Sequence, residues 1–276
     1  MAGAAIALAS CGSPASHPGT GSALKPPTPR KAGAPIHWII AASSLGKVKG
    51  VAGAAFITAH FDSSGNYVVV GATPPRYLAS WNANIVVDAR SLADLGQALS
   101  SRPGFVLFDI EDWRFTPVSE AADPAGTLAR AAADVSSTSS RLIAAPALDL
   151  AKLIGGKGPL QSKFLAAGIP GAAAKGAWGV DIQAQSLEGE PGVYSSFVKA
   201  AAAQIEAANP AARVFAGLST NPSGRRVTAA ELASDVAATR STVYGYWLNV
   251  PSGGAACPSC GAAQPEILVQ LLDSLG

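Results

Sequence analysis

Charged residues are scarce in this chain, and no long hydrophobic run is present. Of its 276 residues 14% are charged, and 20 basic against 18 acidic side chains give a net charge of +2. Nucleic-acid binding needs a clustered basic surface, so nucleic acid is not an expected partner. No apolar run reaches the roughly 18 residues that a membrane-spanning helix needs, so we do not expect an integral membrane protein.

Cysteine and histidine are also rare, with three of each. A structural zinc site needs about four ligands, and catalytic zinc sites take two or three histidines. No G-x-S-x-G, Walker or G-x-G-x-x-G pattern stands between a predicted strand and a helix. The sequence therefore predicts no metal and no cofactor, and we expect a monomer.

The chain begins with a short apolar segment that ends at Cys11, in "LASC". This resembles the lipobox of a bacterial lipoprotein, whose cysteine is acylated and becomes the mature N-terminus, although the basic region of a signal peptide is absent. Residues 12–34 are rich in Pro, Gly and Ser and are typical of a flexible tether. We therefore predict a signal-like segment at 1–11, a tether at 12–34 and export to the outer face of the cell membrane.

The other two cysteines, Cys257 and Cys260, lie three residues apart in the loop "GGAACPSCGAAQP". In an exported protein such a pair most simply closes a small disulfide. A thioredoxin-type redox pair would be expected at the start of a helix near the N-terminus, so we predict a structural disulfide.

Strand-like apolar runs alternate with alanine-rich helical segments from about Pro35 onward. Strands are predicted at 36–43, 54–62, 83–90, 105–111, 141–149, 178–185, 213–221 and 243–250. Helices are predicted at 91–101, 124–138, 160–168, 193–209, 228–239 and 265–275. Such alternation favours parallel pairing, and residues 35–276 approach the roughly 250 typical of a (β/α)8 barrel. We predict a single-domain α/β fold, the (β/α)8 TIM barrel, with a doubly wound sheet as the alternative.

Most predicted strands become polar at their C-terminal ends, at positions two residues apart. Side chains two apart on a strand point to the same side. The alternating positions are apolar, as in Val106, Phe108 and Ile110 of strand four and Val180 and Ile182 of strand six. Polar side chains that face inward at the strand tops would build a polar cup at the barrel mouth, where active sites of this fold lie.

Strand four, "FVLFDIEDWRF", carries the most concentrated acid in the chain. Asp109 and Glu111 share a face, with Cα atoms roughly 6.5 Å apart at about 3.3 Å per residue. Two carboxyls this close raise one pKa towards the range of a general acid, as in glycoside hydrolysis. Trp113 and Trp247 offer flat faces on which a sugar ring can stack. Together these features suggest a carbohydrate ligand.

Three segments resemble the chitinase-type barrels of glycoside hydrolase family 18: D-x-E at the end of strand four, a Gln-containing strand six and a Trp in strand eight. The resemblance implies that Glu111 matches the general acid, Asp109 the neighbouring aspartate and Trp247 the tryptophan that floors the −1 sugar subsite. The chain departs from the family's D-G-x-D-x-D-x-E at Gly104 and Leu107, and Gln185 stands near a substrate-holding tyrosine. The matching segments therefore favour a barrel that acts on or binds a glycan.

The catalytic candidates in this interpretation are Glu111 as general acid, Asp109 as its partner and Asp181 as base or nucleophile from across the mouth. The residues expected to bind substrate share a polar or aromatic side chain at a predicted strand top: Trp113, Trp247, Gln183, Gln185, Asn249, His60 and Asp62.

Two other interpretations stay open. One is a non-catalytic surface lipoprotein that binds glycans or acts as a scaffold, which the missing strand-four aspartates favour. The other is a metal-dependent hydrolase that uses His60, Asp62, Asp88 and Asp109, since "HFD" would place His60 and Asp62 on one face. Structural roles are also open for the acidic residues, for example ion pairs with Arg90.

Overall fold

Eight parallel strands close into one barrel in which neighbouring strands follow the order of the sequence. This computed structural model describes residues 34–71, 73–254 and 257–276. The strands are β1 (His37–Ala41), β2 (Tyr67–Val70), β3 (Asn84–Ala89), β4 (Phe105–Ile110), β5 (Arg141–Pro146), β6 (Gly179–Ile182), β7 (Arg213–Ser219) and β8 (Gly245–Asn249). The predicted single-domain (β/α)8 barrel is confirmed.

Helices cover the outside of the barrel. They are α1 (Ala42–Phe61), α2 (Leu92–Ser100), α3 (Val118–Ala122), α4 (Pro124–Ser136), α5 (Leu160–Ala166), α6 (Ile169–Ala174), α7 (Pro191–Ala208), α8 (Ala229–Thr239) and α9 (Pro265–Leu275). Short 3-10 helices occupy Arg76–Ser80, Leu148–Lys152, Gln185–Leu187 and Pro222–Gly224. No helix in the described part of the chain is long and apolar enough to cross a membrane.

Helix boundaries follow local signals in the sequence. The side chain of Ser91 accepts a hydrogen bond from the backbone N–H of Asp94, and Thr228 forms a capping box with Glu231. Such caps satisfy backbone donors that the first turn of a helix leaves unpaired. Pro124 opens α4, and Gly168 follows α5 with φ +67°, a conformation that glycine adopts without strain.

Each strand separates two apolar layers, as the alternation in the sequence predicts. Val106, Phe108 and Ile110 of β4 pack against the helices. Phe105 and Leu107 point into the barrel interior, where they meet inward side chains of the other strands: Ile39, Tyr67, Val69, Val86, Ile143, Ala145, Phe215 and Trp247. These apolar side chains fill the interior of the barrel. The inward-facing polar residues at the C-terminal ends of the strands therefore lie at its mouth.

The second predicted strand is wrong. Residues 54–62 belong to the long helix α1, which is interrupted at Gly53 (φ +85°), and β2 is the later segment "YVVV". α1 itself consists largely of small and apolar residues that are not confined to one face, so its helical period is not evident in the sequence. The link from β2 to β3, outside Ala72, contains one 3-10 helix in place of an α-helix.

A methyl group added at Gly245 tests the closure of the barrel. A Cβ there would collide with the backbone carbonyl of His37 on β1, which is its partner across the β8–β1 pairing. Gly245→Ala should therefore destabilise the protein by about 1–3 kcal/mol or more. Chemical denaturation measures the difference in the free energy of unfolding.

Gly96→Ala is the matched control, because Gly96 is exposed within α2 and a Cβ there meets nothing within 4 Å. This substitution should be neutral or stabilise by about 0.5–1 kcal/mol. Equal stability of the two variants would contradict the tight β8–β1 contact.

Candidate functional site

A cavity of about 530 Å³ opens at the C-terminal ends of the strands. The ionisable groups that line it are Lys47, Asp88, Arg90, Asp109, Glu111 and Asp149. Neutral polar and aromatic side chains complete the wall, among them Trp113, Gln183, Gln185, Trp247 and Asn249. The polar cup predicted at the barrel mouth is thus present as an open cavity.

The carboxyl pair of β4 lies on the cavity wall. Asp109 is 7% exposed, and Glu111, just past the end of β4, is partly exposed. Burial and then the neighbouring Glu111 raise the pKa of Asp109 well above its ordinary range. Burial and then the charge of Asp149 raise the pKa of Glu111 to about 8. Glu111 therefore holds a proton at neutral pH in a position open to the cavity.

Gln183 links β6 to this pair across the barrel mouth. Its Nε2 donates to Oδ1 of Asp109 at 2.6 Å and to the backbone oxygen of Ala145 at 2.9 Å. The amide thereby fixes the orientation of the Asp109 carboxyl. This hydrogen bond also lowers the pKa of Asp109, but less than burial raises it.

Arg90 supplies the positive charge on the β3 side of the cavity. Its Nε lies 2.8 Å from Oδ2 of Asp88, and its guanidinium carbon lies 5.3 Å from the ring centre of Trp113 and 5.0 Å from that of Phe115. Such stacking orients both the cation and the ring. The ion pair with Arg90 that the sequence left open is confirmed for Asp88.

Thr116 organises the loop that follows β4. Its buried hydroxyl accepts hydrogen bonds from the backbone N–H of Glu111 (3.2 Å) and from Nε1 of Trp113 (2.9 Å), and it donates to the backbone oxygen of Arg90 (3.0 Å). One side chain thus sets the positions of the acid, the aromatic ring and the end of β3. Sequence reasoning missed it, although a Thr-Pro pair after an acidic strand end is a turn signal.

The assignment of Asp181 as a base or nucleophile does not fit its position. Its side chain is 0% exposed and lies deeper in β6 than Gln183, outside the cavity lining. Neither carboxylate oxygen has a hydrogen-bond partner among the described residues. Burial and the nearby Asp109 raise the pKa of Asp181 well above its ordinary range. The prediction that Asp181 faces the barrel interior is correct. Its position, two residues before Gln183 along the chain, places the carboxyl below the cavity, where a substrate does not reach it.

The predicted positions of His60 and Asp62 are wrong for the same reason that the second strand is wrong. His60 lies in the last turn of α1, where Nδ1 is 3.0 Å from the backbone oxygen of Phe56, and Asp62 accepts from the backbone N–H of Asn82. Asn82 precedes β3, so Asp62 lies at the N-terminal end of the barrel. The helix carries both residues away from the cavity and from Asp88 and Asp109.

The remaining predicted binding residues do converge. Trp113, Trp247, Gln183, Gln185 and Asn249 all line the cavity. Trp247 is 9% exposed and also packs in the barrel interior, so its ring is both a core side chain and part of the cavity floor.

The loop after β8 closes another side of the cavity. Cys257 and Cys260 are bonded, as predicted, with Cα atoms 5.4 Å apart, and both line the cavity. Asn221 of the β7 loop donates to the backbone oxygen of Cys260, which ties the two loops together. Cys11 and the tether lie outside the described residues.

Lys47 and Asp149 are charged lining residues that were not among the predicted site residues. Lys47 lies on α1, which sequence reasoning did not recognise as a helix. Asp149 ends the predicted strand 141–149; its Oδ1 accepts from the backbone N–H of Asp112 (3.0 Å) and its Oδ2 lies 3.3 Å from Nζ of Lys152. Within the described ranges, no group of three or more His, Cys, Asp or Glu side chains has an arrangement suited to a metal ion.

No protein family model matches the sequence, and no curated protein is similar to it. Solved structures that it resembles include a dipeptide epimerase from Methylococcus capsulatus complexed with Mg ion, at 15% identity and a TM-score of 0.41. The match covers 78% of this chain and 55% of the epimerase. This distant likeness concerns the barrel fold. Fold and cavity together define a (β/α)8-barrel protein whose mouth combines carboxyl groups with tryptophan.

The raised pKa of Glu111 should make stability depend on pH. The folded protein holds this proton up to about pH 8, whereas the unfolded chain releases it near the ordinary value of 4.5. The unfolded state therefore binds fewer protons between these values, and stability should fall as pH rises from about 4.5 to about 8, at about 1.4 kcal/mol per unit of pKa difference.

Urea unfolding at pH 5, 6.5 and 8 measures this dependence. Glu111→Gln should reduce the slope without abolishing it, because the raised pKa values of Asp109 and Asp181 act with the same sign. The matched control is Asp273→Asn on the exposed face of α9, which should keep the full slope. A slope unchanged by Glu111→Gln would contradict the raised pKa.

Proposed function

We propose that this protein is a glycoside hydrolase-like barrel that acts on a glycan at the mouth of the barrel. The observation that carries the proposal is the protonated carboxyl of Glu111 on the wall of an open cavity that tryptophans also line. A carboxyl that keeps its proton at neutral pH can give it to the leaving oxygen of a glycosidic bond. The partial resemblance of strand four to chitinase-type barrels agrees with this role.

Three groups around Glu111 support its role. The charge of Asp149 raises its pKa, Asp109 lies on the same face of β4, and Thr116 fixes its backbone. Trp113 and Trp247 present apolar ring faces, against which the faces of a sugar ring can pack. Gln183, Gln185 and Asn249 add neutral hydrogen-bonding groups for hydroxyls.

A second carboxylate is needed to stabilise the positive charge on the sugar or to activate water. Asp181 is sealed, so Asp149 takes this part in the proposal. It lines the cavity, and the hydrogen bonds from the Asp112 backbone and from Lys152 hold it in place. In the reaction the bond between the anomeric carbon and the leaving oxygen breaks, and the proton of Glu111 goes to that oxygen. Water then supplies the new hydroxyl on the anomeric carbon, and its remaining proton restores Glu111.

Substitution of Glu111 tests this chemistry. Product release should be screened on oligosaccharide panels by mass spectrometry, and Glu111→Gln should lower kcat about 100-fold or more on any substrate found. Activity of the wild type should decline above about pH 8, as Glu111 loses its proton. Asp273→Asn, on the outer surface, should leave kcat unchanged. Full activity of Glu111→Gln would overturn the assignment.

A non-catalytic glycan-binding protein is the second candidate. The observation that favours it is the engagement of the lining carboxylates: Asp88 pairs with Arg90, and both oxygens of Asp149 have partners. Binding of an oligosaccharide without product release, equal in the wild type and in Glu111→Gln, would establish this candidate.

A metal-dependent enzyme is the third candidate, although the predicted ligand set of His60, Asp62, Asp88 and Asp109 is not brought together. Carboxyl groups of Asp88, Asp109, Glu111 and Asp149 line one cavity, and oxygen ligands suit Mg²⁺, although no three of the described carboxyl groups are grouped as ligands of one ion. Elemental analysis of protein purified without chelator distinguishes this candidate, because a stoichiometric metal needed for activity would replace the glycosidase proposal.

We also propose that the protein is exported and anchored by a lipid on Cys11. The proposal rests on the lipobox-like "LASC" and the Pro/Gly/Ser-rich segment that follows it. Cells that express the full chain should incorporate a labelled fatty acid into it, and Cys11→Ser should abolish the label. Labelling that persists in Cys11→Ser would contradict the anchor.

A further inference from the structure

The cavity has two sides of different charge. Its acidic side chains come from β3, β4 and the segment after β5, whereas the opposite side, where β8 meets β1, carries the ammonium group of Lys47. Arg90, the other cation of the lining, is already paired with Asp88. Lys47 differs, because no carboxylate lies within salt-bridge distance of its Nζ among the described residues.

The ammonium of Lys47 is partly buried and only partly satisfied by the protein. Its Nζ donates to the backbone oxygen of Val250 at 2.5 Å, and burial lowers the pKa of the side chain. An ammonium group has three donors, so two remain after this bond. Lys47 is partly buried, so its ammonium keeps part of its hydration, and a bound anion would add the counter-charge that the lining does not supply.

The groups beside Lys47 are neutral donors and acceptors. Ser43, Ser44, Asn249 and Ser252 line this side of the cavity. The segment also begins α1, whose first turn contains no acidic residue. Among the described residues, this part of the lining carries no acidic side chain, and the hydroxyls and amide can complete the hydrogen bonds of an anion.

The acidic side of the cavity does not prevent an anionic ligand from entering. Glu111 is protonated at neutral pH, and the charges of Asp88 and Asp149 are balanced by Arg90 and Lys152. Repulsion between the carboxyl cluster and a second negative group is therefore weak.

We propose that Lys47 forms an anion subsite in this cavity and that the glycan carries an anionic substituent, a carboxylate, sulfate or phosphate on a sugar ring. This inference rests on the proposed glycan function and names the substrate class of that site. Lys47 acts as a specificity-determining residue: its ammonium binds the substituent, while the acidic side meets the bond that is cut.

A structural role of Lys47 makes a different prediction. Its bond to Val250, together with the bond from the backbone N–H of Val250 to Oγ of Ser44 (3.3 Å), attaches the end of β8 to α1. If this attachment were the whole role, loss of the ammonium would weaken every ligand equally. An anion subsite requires instead that anionic ligands lose affinity and neutral ligands keep it.

The experiment compares four sets of oligosaccharides of equal length, built from uronic acids, from sulfated sugars, from phosphorylated sugars and from neutral sugars. Binding to the full chain is measured by isothermal titration calorimetry. The wild type should bind one anionic set at least about tenfold more tightly than the neutral set, the scale of one charge-assisted hydrogen bond. The set that binds identifies the substituent.

Lys47→Met should remove this preference, with about a tenfold loss for the anionic set and no change for the neutral set, and Lys47→Arg should retain most of it. Lys175→Met, at an exposed position after α6, is the matched loss of one positive charge and should change nothing. Binding of neutral sugars alone, or an equal loss for both sets in Lys47→Met, would overturn the subsite and leave the proposed glycan function standing. If no set binds, the proposed function fails as well.

Discussion

Closure of the barrel is the constraint on which the rest of the structure depends. Pairing of β8 with β1 makes every second side chain point into one shared interior. That interior is filled by large apolar and aromatic residues such as Leu107, Phe215 and Trp247. Polar residues of the same parity at the C-terminal ends of the strands then face solvent at the mouth, so the cavity follows from a filled barrel.

The chemistry of the mouth follows from an excess of buried acid over buried base. Asp109, Glu111 and Asp181 share one end of the barrel with a single nearby guanidinium, that of Arg90, among the residues described. Because burial penalises the charged form, these carboxyls keep their protons well above their ordinary pKa values. Position then separates their roles: Glu111 faces the cavity, Asp109 is oriented by Gln183, and Asp181 is sealed below them.

The loops turn this group of acids into a site with defined geometry. Thr116 holds the end of β4 and the ring of Trp113 in place, and the disulfide loop is tied to the β7 loop through Asn221. Lys47 brings a positive charge to the other side of the same cavity. The carboxyl group proposed for bond cleavage and the cation proposed for recognition thus lie on opposite walls, which is the basis of the proposed specificity for anionic glycans.

The local sequence determined the strand positions, the helix caps and the faces of the strands, because these features depend on neighbouring residues. Seven of the eight predicted strand segments contain a strand of the barrel, and Ser91 and Thr228 cap α2 and α8 next to the predicted helix starts. The alternation along β4 correctly predicted that Asp109 and Glu111 reach the mouth while Val106 and Phe108 pack on the helices. These features follow from side-chain period and capping, which are readable from adjacent residues.

The tertiary structure decided which side chains reach the cavity, because this depends on contacts between residues far apart in the sequence. The apolar segment at 54–62 became helix α1, which removed His60 and Asp62 from the mouth and brought Lys47 to it. Asp181 and Gln183 share one face of β6, yet one lies sealed and the other bonds Asp109, because depth in a barrel is set by strand tilt and register. The sequence by itself determined which faces are polar; the closed barrel decided which of those groups a ligand can reach.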